Sequence, residues 1–79
     1  MKKYNNKSNV TGKIIADYRA KRKLSKTKLC EMLQLHAIYI DITELNRIES
    51  GKMILKDFEL LGFCIVLDID YNELKNTIE

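Results

Sequence analysis

The sequence predicts an all-α fold of five short helices, and three observations lead there. Apolar residues recur at spacings of three and four along most of the chain, Ser25 and Asp41 stand where a helix-capping residue is wanted, and no proline interrupts any segment. With 79 residues there is room for one domain. A chain of this size buries only roughly 60% of the surface its unfolded form exposes, so the core is thin.

Residues 1–10 are rich in Lys, Asn and Ser and lack periodicity, and they read as a flexible basic arm ahead of a domain over 11–79. Thr11 is the expected N-cap of a first helix running to about residue 23. Ile14, Ile15 and Tyr18 form its apolar stripe, and Leu24 closes it. Ser25 caps a second helix whose Leu29, Cys30 and Leu33 share one buried face. Residues 34–40 contain Leu35, Ile38 and Ile40, but no second strand exists to pair with them. They read as an ordered, partly buried connection.

Asp41 and Glu44 have the spacing of a capping box, with their carboxylates at the positive end of a third helix over about 42–49. That helix buries Leu45 and Ile48, and Gly51 is free to adopt the left-handed conformation that ends it. A fourth helix over about 56–67, with Asp57 in its first turn, carries Phe58, Leu61 and Ile65 on one face and Leu60 and Cys64 beside it. Asp70 caps a last helix to about residue 76, which buries Tyr71 and Leu74, with Ile78 as a further candidate.

Composition narrows the function. At 46% hydrophobic and 32% charged residues, the chain is expected to be globular rather than disordered. The longest apolar run, residues 60–67, is broken by Gly62 and falls far short of the ~20 residues of a membrane span. The basic opening is followed by no apolar stretch, so no signal peptide is expected and the protein should stay in the cytoplasm. There Cys30 and Cys64 act as small buried hydrophobes without a disulfide. One histidine, His36, and no Cys-x-x-Cys make a metal site unexpected. No glycine-rich phosphate loop or activated nucleophile is visible, so neither a cofactor nor an enzymatic activity is expected.

The net charge of +3 conceals a polarised distribution. Residues 1–28 carry ten Lys/Arg against one acid, Asp17, whereas residues 29–79 carry four against ten. A basic half attracts polyanions, of which nucleic acid is the commonest.

Two stretches then carry a resemblance. The first spans residues 12–29, with Tyr18-Arg19 in the first helix and Leu24-Ser25-Lys26 opening the second. The other is Leu45-Asn46-Arg47-Ile48-Glu49-Ser50-Gly51-Lys52, followed by a tail over 56–74 that looks like a closing helix pair. The chain here resembles the Cro-like and phage-repressor-like helix-turn-helix regulators of the xenobiotic-response-element type, in the subset with a longer turn before the recognition helix. The resemblance covers residues 11–74 and implies a compact five-helix, lambda-repressor-like DNA-binding domain. It implies a small bacterial or phage transcriptional regulator, associated with the nucleoid, that binds double-stranded DNA sequence-specifically with its third helix, residues 41–50, in the major groove. Relatives usually act as homodimers on paired half-sites. The apolar face of the fourth and fifth helices, with Tyr71 and Ile78, is the expected dimer surface. No small-molecule effector is implied.

The resemblance also implies that Arg19 pairs with Glu49, tying the first helix to the recognition helix. The chemistry agrees, because an arginine fork suits bidentate carboxylate binding beside a core. Three features depart from the common pattern. The turn before the third helix is longer, Lys23 occupies the usual glycine position, and the recognition helix opens on the acidic Asp41-Ile42-Thr43-Glu44.

By position, the base-facing residues are Ile42, Thr43, Glu44, Asn46 and Arg47. Ile42 suits a thymine methyl but also suits the core. Thr43 suits a methyl or an acceptor. Arg47 suits the O6 and N7 of guanine, or else a phosphate. Glu44 serves either as the capping-box partner or as an acceptor from a cytosine amino group. Lys26, Lys28 and Lys52 are the phosphate candidates, the first two at a helix N-terminus that already favours anions. Lys2, Lys3 and Lys7 either follow the DNA backbone or only solubilise the arm. Lys21, Arg22 and Lys23 sit where cations favour the end of the first helix and are left out of the site. The alternative is a protein-binding module of the same fold, antirepressor-like or antitoxin-like, that does not read DNA. The acidic start of the third helix favours it.

Overall fold

The computed structural model describes residues 8–76, which form five helices: α1 (Gly12–Lys21), α2 (Lys26–Gln34), α3 (Ile42–Glu49), α4 (Asp57–Leu67) and α5 (Tyr71–Asn76). No strand occurs among the described residues. Helices α1 and α2 each pack against both α3 and α4. Their shared core is Ile15, Tyr18, Leu29, Cys30, Leu33, Leu45, Ile48, Phe63 and Leu67, with Ile38 and Ile40 added from the α2–α3 connection.

Helix α1 begins differently from the expectation. Thr11 has helical backbone angles and makes no capping bond. The cap is Asn9, whose Oδ1 accepts from the Gly12 N–H at 2.7 Å. The Asn9 amide also donates to the Ile48 carbonyl at 3.2 Å and the Met53 carbonyl at 2.8 Å. One side chain thus caps α1 and fastens it to the end of α3. The Ser8 N–H adds a bond to the Gly51 carbonyl at 2.7 Å. Residues 8–10 are therefore part of the domain and not of a flexible arm. The rest of the proposed arm, with Lys2, Lys3 and Lys7, lies outside the described residues.

Helix α1 ends two residues earlier than expected, in a Schellman closure. The Lys23 N–H donates to the Ala20 carbonyl and the Leu24 N–H to the Arg19 carbonyl, both at 3.0 Å. Lys23 occupies the left-handed position of this closure, with φ 58°. A Cβ is unfavourable there by roughly 1–2 kcal/mol, part of which glycine returns through its greater freedom when unfolded. Lys23→Gly should therefore raise stability by roughly 0.5–1 kcal/mol and the melting temperature by several degrees. A thermal melt that falls instead would show that the lysine side chain holds the turn.

Helices α2 and α3 start as their sequences predict. The Ser25 Oγ accepts from the Lys28 N–H at 3.0 Å. Asp41 and Glu44 form a complete capping box: Asp41 Oδ1 accepts from the Glu44 N–H at 2.7 Å, and Glu44 Oε1 accepts from the Asp41 N–H at 3.1 Å. Helix α3 closes on Gly51, at φ 78°, in a second Schellman motif. The α2–α3 connection is ordered and places Ile38 and Ile40 in the core, but Leu35 is 86% exposed and not part of the buried set.

The second half selects the inward face of α4, which the sequence left open, and corrects the expected burial of α5. Helix α4 turns Gly62, Phe63 and Leu67 inward, together with Glu59, and leaves Phe58, Leu61 and Ile65 outside. Its sequence is apolar nearly all round, so periodicity does not select a face. Gly62 does: a Cβ there would lie 2.1 Å from Ile38 Cδ1, so this side alone lets α4 approach the connection. The buried Glu59 is satisfied by the Lys56 N–H at 2.9 Å, closing the start of α4.

Helix α5 buries none of its residues completely. Tyr71 is exposed, Leu74 is half-buried, and Ile78 lies outside the described residues. Asp70 does cap it, through the Asn72 N–H at 2.9 Å. Polar contacts anchor the helix: the Tyr18 hydroxyl donates to Glu73 Oε1 at 2.9 Å and accepts from the Asp70 N–H at 3.3 Å.

Candidate nucleic-acid interface

Helix α3 has two unlike sides. Leu45 and Ile48 are fully buried, while Ile42, Thr43, Asn46, Arg47 and Ser50 are exposed on the opposite arc. At about 100° per residue these five positions fall within less than half the helix circumference. Ile42 is 44% exposed, so it belongs to this outer face and not to the core. Glu44 lies at the edge, half-buried, and its carboxylate is engaged by the Asp41 N–H. Of its two possible roles, the capping one is occupied.

Lys26, the first residue of α2, donates from Nζ to the Asn46 side-chain oxygen. This bond crosses between two helices and sets an ammonium group beside the outer face of α3. Asn46 uses its acceptor in this contact, which leaves its amide N–H groups as the donors it presents outward. Lys28 is exposed one position past the free backbone N–H groups that open α2. Lys52 is exposed beyond the end of α3, with its backbone held to the Arg47 carbonyl at 2.8 Å. Cations thus stand at the α2 start, beside Asn46 of α3, and beyond the far end of α3, and the Asp41 and Glu44 carboxylates mark the α3 start.

Behind this face is the pair that fixes its orientation. Arg19 Nε donates to Glu49 Oε2 at 2.7 Å and Nη2 donates to Oε1 at 3.2 Å, a bidentate fork. A third donor, Nη1, reaches the Leu24 carbonyl at 3.0 Å. The two side chains are only 18% and 9% exposed. The hydrogen bonds that the guanidinium donates to Glu49 raise its pKa further, so Arg19 stays cationic. One arginine therefore joins α1, the last turn of α3 and the residue preceding Ser25. That fixes where α2 begins relative to α3.

Two further residues border this region and were not identified from the sequence. Asn9 lay within a segment read as an arm, and its only signal was a cap-forming residue type three positions before Gly12. Tyr39 is 74% exposed between the buried Ile38 and Ile40, two residues before the α3 cap. Its signal was the alternation across these three positions.

Burial pushes the Cys30 and Cys64 thiols above their ordinary pKa, which disfavours the reactive thiolate. No group of three or more His, Cys, Asp or Glu side chains suited to a metal ion occurs among the described residues. A groove of about 390 Å³ lies between α1 and α5, lined by Val10, Lys13, Ile14, Asp17, Glu73 and Asn76, and no α3 residue contributes to it. No helix among the described residues is long and apolar enough to cross a membrane. No protein-family model matches the chain, and neither a curated protein nor a solved structure matches it.

Proposed function

We propose that this chain is a small lambda-repressor-like transcriptional regulator that binds double-stranded DNA sequence-specifically, with α3 in the major groove. The observation that carries this reading is the joined α2–α3 surface, in which Ile42, Thr43, Asn46 and Arg47 face outward and Lys26 is bonded to Asn46. A helix fits the major groove and reads it through residues on one exposed face. In this reading Ile42 meets a thymine methyl, Thr43 a methyl or an acceptor, and Arg47 the O6 and N7 of guanine. Asn46 donates to a base acceptor while its oxygen holds Lys26. Lys26, Lys28 and Lys52 neutralise phosphates. Glu44 is assigned to the cap.

Two mutants distinguish readout from charge. Arg47→Ala should cost about 1–3 kcal/mol on the preferred site and relax discrimination at one base pair. Lys28→Ala should weaken binding to all sequences alike, and its slope of log affinity against log salt should fall by about one unit. Selection of bound fragments from genomic DNA with the purified protein, at two salt concentrations, supplies the site for these titrations. Equal affinities of both mutants and the parent would reject the surface.

A second reading rests on one observation. Asp41 and Glu44 place two carboxylates at the start of α3, the end that would approach phosphates. A protein-binding module of this fold would tolerate them. If the parent selects no DNA even at low salt, that reading replaces the first.

A further inference from the structure

Lys26 is the first residue of α2, where a cation faces the positive end of the helix. The helix itself gives no reason for a lysine there, and the fold supplies one. The residue is half-buried, and its Nζ donates to Oδ1 of Asn46 on the exposed face of α3. Chemistry fixes the direction of this bond: an ammonium has donors and no acceptor, so only the oxygen of the amide can meet it. The frame is fixed too. Ser25 caps α2 directly before Lys26, and Arg19 holds the Leu24 carbonyl and Glu49 of α3 at once.

We infer that Lys26 determines which bases Asn46 reads, and restricts them to those with a keto oxygen in the major groove, guanine above thymine. The inference rests on the proposed DNA reading and narrows it. A free asparagine offers its oxygen and its NH2 side by side, which matches the N6 donor and N7 acceptor of adenine. With Lys26 in place, the two side chains together offer donors: the Asn46 NH2 and the remaining ammonium hydrogens. Guanine meets them with two acceptors, N7 and O6, and thymine with one, O4. Adenine and cytosine meet them with amino groups. Hydrogen then faces hydrogen, and an amino group left without an acceptor in a closed interface costs affinity. The second lone pair of Oδ1 does not rescue adenine, because an amino group that approached it would stand beside the full positive charge of Lys26. A neutral side chain at position 26 would not impose this penalty. Lys26 thus acts through Asn46, as a positioning residue, in addition to its place against a phosphate.

The test is selection of a preferred duplex by the full chain, followed by titration of duplexes that differ from it at one base pair. Asn46→Ala identifies the pair that Asn46 reads, as the one where discrimination collapses. The parent should favour guanine there. Lys26→Met, which keeps the stem without the ammonium, should lower the guanine-to-adenine ratio of affinities by about 10-fold. Lys26→Arg, again a cation without an acceptor, should keep the parent's ratio. A lost phosphate contact weakens all sequences alike, so it cancels in this ratio, and a merely phosphate-binding or structural role of Lys26 would leave the ratio unmoved. Helical spectra of the variants check the fold. A parent that favours adenine or cytosine at that pair overturns the inference, and so does an unchanged ratio in Lys26→Met. A parent that selects no DNA overturns the DNA reading as well, which separates the two failures.

Discussion

Arg19→Ala and Glu49→Ala should each destabilise the protein by about 3 kcal/mol, and the double mutant should lose far less than the sum. The reason is what each single change leaves behind. Without Glu49 the guanidinium keeps one carbonyl, Leu24, and must hold its charge in a site with little water. Without Arg19 the Glu49 carboxylate loses both donors of the fork, and the Leu24 carbonyl loses its partner too. Removing both side chains removes the stranded charge as well as the attraction. A domain of this length has a total stability of roughly 4–12 kcal/mol, so either single change consumes much of it. Arg19→Lys should rescue little, because an ammonium cannot span both carboxylate oxygens and reach Leu24. Denaturant titrations of the parent, the singles and the double form the cycle. Additive losses would mean that the two side chains do not interact.

That pair was legible in the sequence because its parts are local and distinctive. An arginine with a tyrosine before it, and a glutamate ahead of Ser50-Gly51-Lys52, carry a resemblance that no count of charges would supply. The starts of α2 and α3 were legible for a similar reason, since Ser25 and the Asp41–Glu44 box bond within three residues of themselves. The outer face of α3 followed from the inward spacing of Leu45 and Ile48. What escaped depends on distance across the fold. The Lys26–Asn46 bond joins residues 20 apart, and Asn9 reaches carbonyls 39 and 44 positions away. Neither leaves a periodic trace. Helix ends were blurred because Lys23, Ala37 and Asp68 adopt left-handed angles normally marked by glycine. The inward face of α4 was set by a glycine that is informative only when its neighbour, Ile38, is known.

Gly12→Ala should cost about 3 kcal/mol, at the upper end of ordinary overpacking, whereas Gly62→Ala should change stability by only about 1 kcal/mol. Both glycines are buried, and alanine is the better helix former by about 1 kcal/mol at an interior position such as Gly62, whereas Gly12 is the first residue of α1 and gains less. The larger difference is the neighbour. At Gly12 a Cβ would lie 2.0 Å from the Ile48 carbonyl oxygen, 3.1 Å from its carbon and 2.9 Å from Asn9 Oδ1. The Ile48 carbonyl cannot swing away, because it accepts from the Gly51 N–H at 3.0 Å and from the Asn9 amide. The oxygen of Asn9 is likewise held, since it caps Gly12 itself. Relief therefore requires α1 to move off α3, which strains the Arg19–Glu49 fork about two turns further along. At Gly62 the obstacle is Ile38 Cδ1, 2.1 Å away, the far end of a side chain that can change rotamer. The cost of that repacking is offset by the propensity gain. Denaturant titrations of both variants compare the two directly. A Gly12→Ala protein as stable as the parent would mean that the α1 and α3 backbones do not approach as closely as this, and the orientation of the α3 outer face would need another source.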